Sequence, residues 1–576
     1  MQKLLLATAL FTWSLAADRV QGQNYPPPNR LAERLRTLTT QHKSVATLQS
    51  LAKSPGGHDV WVLTLSRNPT GSANAASKPA LAIVAGVEGS HLAGTELALQ
   101  VAEKLLAGQN RDSLSRLLDT RTIYILPLVN PDAYAQATGN LKYERSGNGR
   151  PTDDDRDGRM DEDGPEDLNG DGLITTIRIE DPTGQFMVSK TESRLLVKAD
   201  PTKGEQGRYR VITEGVDNDK DGQFNEDGPG GVNLNRNFTY DYEPFKSGTG
   251  EFPVSETENR ALIDWFYATP NVYAILTFGP SNNLTEPVKF DRSKTTPRIL
   301  KGWLEKDVAV NEQVSKLYVA AGFKDAPTLP GLRGDFPQWA YLHFGKLSFS
   351  TPGWWVPRVE APKPETPKDT VKTANAPKPV TAPGSPGRPA GADAKPGEGA
   401  DEIAYLKWAA TNNPAAFVDW KPVTHPDFPG QKVEVGGLVP FAKINPPTNL
   451  LSEAADRHLS FLVSLTSAMP QLELVHVKTE GTSAGLTRIT TDIHNRGLLP
   501  TQAELAERVR YLPKIKVSLT VGNGQKILTG RAVQLLREAI PGNGVVQLTW
   551  LVSGPGTVTL EATSPSAGTA RRTIKL

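Results

Sequence analysis

A glutamate and a histidine stand three residues apart on one predicted turn of this chain. Glu88 and His91 follow the apolar run 81–85, which predicts a buried strand, and precede residues 97–106, whose apolar spacing predicts a helix. Carboxylate and imidazole groups both serve as zinc ligands, and open α/β sheets place their chemistry at the carboxyl ends of strands. The turn therefore predicts either two zinc ligands or, as we favour, a mutually hydrogen-bonded pair in a closed pocket.

Three acidic stretches repeat one spacing of oxygen-bearing side chains. Such residues at positions one, three and five, with glycine at six, are typical of loops that wrap around calcium. No stretch has the bidentate glutamate at position twelve, and a solvated acidic loop is the alternative, but three repeats favour structural calcium sites. The predicted ligands are Asp153, Asp155, Asp157 and Asp161, then Asp167, Asn169 and Asp171, then Asp217, Asp219, Asp221, Asn225 and Asp227.

Composition narrows the class of protein. The 576 residues exceed one ordinary domain, and the absence of cysteine excludes disulfides and cysteine-ligated zinc. A formal net charge of +1 gives no electrostatic case for nucleic acid as a partner. Residues 1–22 combine one lysine, a short apolar run and small residues, which predicts a secretory signal peptide. We therefore expect an exported protein, periplasmic or secreted, whose mature chain has no transmembrane anchor.

Strand-like and helical segments alternate through the first part of the chain. This alternation predicts an α/β fold with a mixed, mostly parallel sheet and helices on both faces. Short strands separated by turn residues near the end predict an antiparallel β-sandwich. The predicted organisation is an α/β domain at 23–358 with an acidic calcium-loop insertion at 146–231, a disordered Pro/Ala/Lys-rich linker at 359–400, the end of the α/β domain at 401–468, and the β-sandwich at 469–576.

Five short landmarks together resemble the zinc carboxypeptidase family of the carboxypeptidase A type. Any one landmark alone is weak, but they occur in the family's order and spacing. They are Ser54-Pro55-Gly56-Gly57-His58, the turn from Glu88 to His91, Asn130-Pro131-Asp132, Asn233-Leu234-Asn235-Arg236-Asn237-Phe238, and Ser255-Glu256-Thr257-Glu258. The resemblance covers about residues 25–358 and, more loosely, 401–468.

The resemblance implies a zinc ion with three protein ligands and a water, a glutamate as general base, an arginine at the oxyanion, and an Asn-Arg pair that holds the substrate carboxylate. The pair matches Asn235 and Arg236, and the oxyanion arginine is Arg145 or Arg150. The other positions depart from the family. Glu88 and His91 occupy the first two ligand positions with their residue types exchanged, Gly279 occupies the third, and Pro352 occupies the place of the base.

Three functions are compatible with these departures. The first, which we favour, is an exported pseudopeptidase that binds peptide or cell-wall peptide carboxyl ends without cleaving them. The second is an active metallocarboxypeptidase with a rearranged zinc site. The third is a calcium-ordered extracellular scaffold whose pocket is vestigial.

Overall fold

A six-stranded sheet forms the centre of the first domain. The computed structural model describes residues 24–67, 75–152, 158–161, 163–218, 220, 222–225, 230–296, 300–327, 331–357, 399–482, 485–509 and 511–576. The strand order is β1-β2-β4-β3-β9-β10, with β1 Ala46–Lys53, β2 Asp59–Leu65, β3 Ala80–Ala85, β4 Thr122–Leu126, β9 Val272–Phe278 and β10 Leu347–Thr351. The last four strands in this order pair in parallel, and β1 and β2 add an antiparallel edge. The predicted mixed, mostly parallel sheet is confirmed.

Helices cover both faces of this sheet. The α-helices of the described residues are α1 Pro28–Gln41, α2 Leu92–Ala107, α3 Asp112–Thr120, α4 Pro131–Ala137, α5 Thr257–Ala268, α6 Glu305–Ala320, α7 Phe336–Leu342, α8 Ala400–Asn412, α9 Leu451–Ala468 and α10 Glu504–Arg508. Apolar side chains of α1, α2, α3, α6 and α9 pack in one cluster, and those of α5 and α7 pack in another. Every residue of β3, β4, β9 and β10 is buried, because a strand covered on both faces has no solvent side.

A second sheet, which the sequence did not predict, joins the acidic insertion to residues 417–438. Its order is β11-β12-β5-β8-β6-β7, with β5 Thr176–Glu180, β6 Phe186–Val188, β7 Leu196–Lys198, β8 Tyr209–Thr213, β11 Phe417–Val423 and β12 Val433–Leu438. Ile177 and Ile179 of the insertion pack against Phe428, Val433 and Val435 from beyond the predicted linker. The insertion thus shares an apolar core with residues 428–435, and its order does not depend on bound cations alone.

Two antiparallel four-stranded sheets form the C-terminal region. Their orders are β13-β14-β18-β16 and β17-β15-β19-β20, with β13 Leu472–Thr482, β14 Leu486–Asn495, β15 Ile515–Thr520, β16 Lys526–Thr529, β17 Val533–Leu536, β18 Val545–Ser553, β19 Thr557–Ser564 and β20 Gly568–Lys575. Side chains from both sheets meet in one apolar cluster that includes Ile489, Trp550, Val517 and Leu560. A core shared by two sheets is what the predicted β-sandwich requires.

Some predictions fall outside the described residues. These are the signal peptide at 1–22, all but the last two residues of the linker at 359–400, and the calcium candidates Asp153, Asp155, Asp157, Asp219, Asp221 and Asp227. Within the described ranges, no helix has both the length and the apolar character needed to cross a membrane.

Candidate functional site

The turn that carries Glu88 and His91 lies between β3 and α2, as the sequence predicts, and it is closed. Glu88 is 9% exposed and His91 is 4% exposed. His91 is the N-cap residue of α2, but its side chain makes no capping hydrogen bond. Asn445 replaces that cap, because its Oδ1 accepts from the backbone N–H of Ala93 (3.0 Å) and its Nδ2 donates to the carbonyl of Ser90 (2.8 Å).

The Glu88 carboxylate is hydrogen-bonded to neutral side chains. The Ser90 hydroxyl donates to Oε1 at 3.1 Å, and the Asn233 amide donates to Oε2 at 3.2 Å. Burial raises the pKa of Glu88, and the hydrogen bonds from Asn233, Ser90 and Asn235 act in the opposite direction. Three neutral side chains thus share the hydrogen-bonding capacity of this buried carboxylate.

His91 is a neutral, buried imidazole. Burial lowers its pKa to about 4, and a hydrogen bond with the backbone of Pro352 opposes that shift. Its Nδ1 has no hydrogen-bond partner among the described atoms and faces its own helix, since a Cβ added at Gly94 would lie 2.6 Å from it. The predicted hydrogen bond between the Glu88 and His91 side chains is wrong, because each is held by other neighbours.

The two strand ends that should complete a zinc site contribute no suitable side chain. Gly279 follows β9, and its N–H donates to the Thr351 carbonyl at 3.0 Å. A Cβ at Gly279 would meet only Thr277 Cγ2, at 3.8 Å. A Cβ atom would thus fit at this position, so crowding does not require glycine there. Pro352, directly after β10, has no group that accepts a proton from water.

A second buried histidine lies at this strand end and was missed from the sequence. His458 of α9 is 1% exposed, and its Nε2 contacts the Gly353 carbonyl at 2.9 Å. Burial lowers its pKa to about 4. The signal was present, because His458 falls on the apolar face of α9 with Leu451, Ala455 and Leu462. Two buried histidines thus contact the Pro352–Gly353 segment.

The residues at this turn do not fit a zinc ion. Catalytic zinc sites use three protein ligands and leave one position for water. The described residues contain no group of three or more His, Asp or Glu side chains placed to hold a metal. The Glu88 carboxylate accepts hydrogen bonds from neutral side chains, His91 Nδ1 faces its own helix, and Gly279 adds no donor. The chemistry available here is hydrogen bonding and charge recognition.

The Asn235–Arg236 pair lies beside the closed turn. The Asn235 side chain hydrogen-bonds to Glu88, and its Oδ1 also accepts from the backbone N–H of Phe336 at 3.1 Å. Arg236 remains 28% exposed, and its Nη1 donates to the carbonyl of Ser247 at 3.1 Å. A planar guanidinium at the surface is the group that suits a carboxylate ligand.

The two candidate oxyanion arginines bind the chain itself. Arg145 donates from Nε to the Gly230 carbonyl at 3.0 Å and from Nη2 to the Asn148 carbonyl. Arg150 pairs with Glu256 at 3.1 Å and with Glu251. These contacts join the start of the acidic insertion to its end and to the entry of α5. Arg145 therefore holds backbone in this structure, and its substrate role stays a prediction.

Asp132 ties two of the sequence landmarks together. Its Oδ1 accepts from the Ser54 hydroxyl at 2.5 Å, and its Oδ2 accepts from the N–H groups of Gly56 (3.1 Å) and Gly149 (2.8 Å). A Cβ at Gly56 would lie 2.5 Å from Asp132 Oδ1. The Pro-Gly-Gly turn and the Asn-Pro-Asp segment are thus parts of one contact at the edge of the site.

The second acidic loop is wrapped around its first aspartate. Asp167 accepts from the N–H groups of Gly170 (2.7 Å) and Gly172 (2.7 Å), and Asn169 accepts from that of Asp171 (2.9 Å). Asp217 repeats this arrangement with the N–H groups of the fourth and sixth loop residues. In all three loops the sixth-position glycine has a positive φ, of 97°, 82° and 92° in chain order. Glycine is thus required there for the sharp turn.

Charged side chains hold the second and third loops in place, each through its own contacts. Buried Glu214 accepts from the N–H groups of Leu168 and Thr175, both at 2.9 Å. Lys220 of the third loop places its own ammonium 2.7 Å from Asp427 and donates to the Asp217 carbonyl. The third loop therefore carries an internal positive charge, whereas the second does not among its described residues. Asp161 of the first loop accepts from the Thr152 N–H at 3.3 Å.

Sequence comparison identifies two families along the chain. A family model described as zinc carboxypeptidase matches residues 31–350, and a domain of unknown function, DUF8731, matches residues 471–575. Carboxypeptidase D of Anas platyrhynchos is 32% identical over 133 residues, which are 23% of this chain and 9% of that protein. A zinc carboxypeptidase of Saccharothrix mutabilis subsp. capreolus is 31% identical over 114 residues, 19% of this chain and 26% of the relative. The chain thus matches about a quarter or less of these proteins' lengths.

Solved structures give weaker similarities. Carboxypeptidase A from Helicoverpa armigera is 15% identical with a TM-score of 0.34, over 57% of this chain and 63% of that one. Thrombin activatable fibrinolysis inhibitor is also 15% identical, with a TM-score of 0.35 over 57% of this chain and 65% of that one. These values add no argument beyond the sequence match. The family model covers more than half of the chain, including every landmark around the site, and the chain belongs to the zinc carboxypeptidase family.

Proposed function

We propose that this chain is an exported, non-catalytic member of its family that binds peptide or cell-wall peptide carboxyl ends. The observation that carries the proposal is the pair of strand ends after β9 and β10, where Gly279 and Pro352 replace a metal ligand and a base. The closed turn supports it, since Glu88 and His91 are buried and bonded to protein groups. An active enzyme with a rearranged zinc site is the alternative.

Arg236 is the residue that we assign to the ligand carboxylate. Arg236 lies next to Asn235, which contacts Glu88, so it lies at the edge of the turn that carries Glu88 and His91. Its guanidinium is partly exposed, in contrast to the buried residues behind it. Bidentate binding of a carboxylate by arginine needs no metal ion and no proton transfer.

Removing Arg236 is expected to abolish binding of a peptide with a free carboxyl end. The measurement is calorimetric titration of the full chain with a short peptide and with the same peptide amidated at its C-terminus. Arg260→Ala is the matched control, because Arg260 is an exposed arginine of α5 that donates to the Val254 carbonyl. Equal affinity for both peptides, or full binding by Arg236→Ala, contradicts the proposal. Hydrolysis that a chelator stops and zinc restores supports the active alternative.

We also propose that calcium orders the acidic loops, with the second loop as the preferred site. The loop supplies three oxygen side chains in a wrapped turn, and extracellular sites of this kind bind calcium with dissociation constants of about 10⁻⁴ to 10⁻³ M. This observation also supports a second candidate function, that of a calcium-ordered scaffold with a vestigial pocket. It differs from the first proposal in predicting no role for Arg236.

Calcium at 10 mM is expected to stabilise the protein by about 1 to 3 kcal/mol, because a ligand that binds only the folded state adds RT ln(1 + [L]/Kd). Thermal melts with calcium and with magnesium measure the effect. Asp167→Asn should reduce it, whereas Asp264→Asn, on the exposed side of α5, should leave it unchanged. Identical melting temperatures with and without calcium would show that the loops are only acidic.

A further inference from the structure

Two residues of the loop at 240–250 contact the guanidinium of Arg236. Its Ser247 carbonyl accepts from Nη1 at 3.1 Å, and its Glu243 carboxylate lies 3.6 Å from Nη2. Glu243 thus places a carboxylate of the chain itself beside the Arg236 guanidinium, the group that we assign to a ligand carboxylate. Arg236 and Glu243 are 28% and 24% exposed, so both can exchange partners with solvent and with a ligand.

Glu243 has a second positive partner that can retain it. Arg333 Nη1 lies 2.8 Å from Glu243 Oε1, and the same guanidinium binds both oxygens of Asp241, at 2.8 and 3.0 Å. Glu243 therefore bridges two arginines. If a ligand binds Arg236, Glu243 keeps its ion pair with Arg333. Displacing Glu243 from Arg236 therefore breaks only one of its two ion pairs.

Two non-glycine residues of this loop have a left-handed backbone, Asp241 with a φ of 52° and Phe245 with a φ of 64°. This conformation costs about 1 to 2 kcal/mol for a residue such as Phe245, whereas aspartate adopts it more readily. Phe245 lies at the loop's surface and is 87% exposed. Phe245 thus adds little core contact near Glu243, whose contacts with Arg236 and Arg333 are ion pairs.

We propose that Glu243 is an affinity-determining competitor at Arg236, which a ligand carboxylate must displace in order to bind. This inference rests on the proposed function of Arg236 and adds the residue that sets its affinity. The ligand is an anionic end group, a peptide carboxylate, and the neighbouring acidic residues disfavour ligands with further negative charge close to that end.

Glu243→Gln is expected to tighten binding of the free-carboxyl peptide by about two- to fivefold, the range for one exposed ion pair. The experiment repeats the calorimetric titration with the full chain. Glu251→Gln is the matched control, because Glu251 directly follows the loop and pairs with Arg150 rather than Arg236. The double variant Arg236→Ala/Glu243→Gln should not bind. Glu243→Ala and melting temperatures of all variants separate a binding effect from misfolding.

The outcomes distinguish this inference from the proposed function. Tighter binding by Glu243→Gln and Glu243→Ala, with Glu251→Gln equal to the wild type, supports the inference. Binding of equal affinity by the wild type and both Glu243 variants overturns it and leaves the carboxylate role of Arg236 standing. No binding by the wild type and none by the Glu243 variants overturns the proposed function and the inference with it.

Discussion

Replacing His458 by glutamine is expected to reduce, by about 2 kcal/mol, the stability that the protein loses between pH 7 and pH 4.5. Burial lowers the pKa of His458 to about 4, whereas an unfolded histidine titrates near pH 6.5. Between these values the unfolded chain binds a proton that the folded chain does not. The stability is therefore fully present above about pH 6.5 and is lost as the pH falls towards 4.

Urea denaturation of the wild type and His458→Gln at pH 7 and pH 4.5 measures this difference. Glutamine can still donate a hydrogen bond to the Gly353 carbonyl, so the variant removes the titration more than the contact. His476→Gln is the control, since the His476 side chain is 74% exposed on the C-terminal sheets. If His458→Gln and the wild type lose equal stability on acidification, His458 is not a neutral histidine held beside Pro352–Gly353.

Glu258→Gln is expected to stabilise the protein at alkaline pH by about 3 kcal/mol. Glu258 of α5 is fully buried, and burial raises its pKa to about 7, with Asp132 and Glu256 adding like charge. Its Oε1 accepts from Asn148 at 3.2 Å, and its Oε2 has no partner among the described atoms. The folded chain keeps a proton here that the unfolded chain releases, so stability is present below about pH 4.5 and is lost as pH rises through 7.

The wild type and Glu258→Gln should therefore have equal stability at pH 4.5 and diverge up to pH 8. Denaturation curves at four or more pH values follow this divergence, and Glu251→Gln is the exposed control. The effect has the opposite sign to that of His458, so the two variants can be tested in one series. A Glu258→Gln protein that is less stable than the wild type at pH 8 would show that Glu258 is ionised and satisfied.

Much of the first domain could be predicted because its signals are local. The buried strands β3, β9 and β10 are continuous apolar or small-residue runs, and α9 has regular apolar spacing. The same locality placed Glu88 and His91 on the turn after β3 and put Gly279 and Pro352 at the strand ends. Residue type alone then indicated that a ligand and a base are missing.

The second sheet could not be predicted from such signals. β6 and β7 are only three residues each, and β5 pairs with β12, more than 250 residues further along the chain. Local patterns cannot reveal pairing between strands that lie on the two sides of the predicted linker. In addition, the apolar residues of the insertion are few and are separated by many acidic loop residues. β16, β17 and β20 were missed for a related reason, since half of their residues or more face solvent.

The detailed bonding of the site also depended on distant segments. The sequence predicted a Glu88–His91 hydrogen bond because the two residues are neighbours on the turn. In the folded chain Asn233 and Ser90 bind Glu88, the Pro352 backbone binds His91, and Asn445 caps the helix that follows. Buried polar groups take the best available donors and acceptors, and those come from four separate parts of the chain.

The central claim is that this carboxypeptidase fold lacks a working zinc site, and elemental analysis of the purified protein tests it most directly. The protein, dialysed against zinc and then against metal-free buffer, is expected to retain far less than one zinc ion per chain, because no described residue joins Glu88 and His91 as a third ligand. Calcium is measured in the same sample before dialysis. One tightly held zinc ion per chain that is lost on Glu88→Gln or His91→Asn would contradict the account.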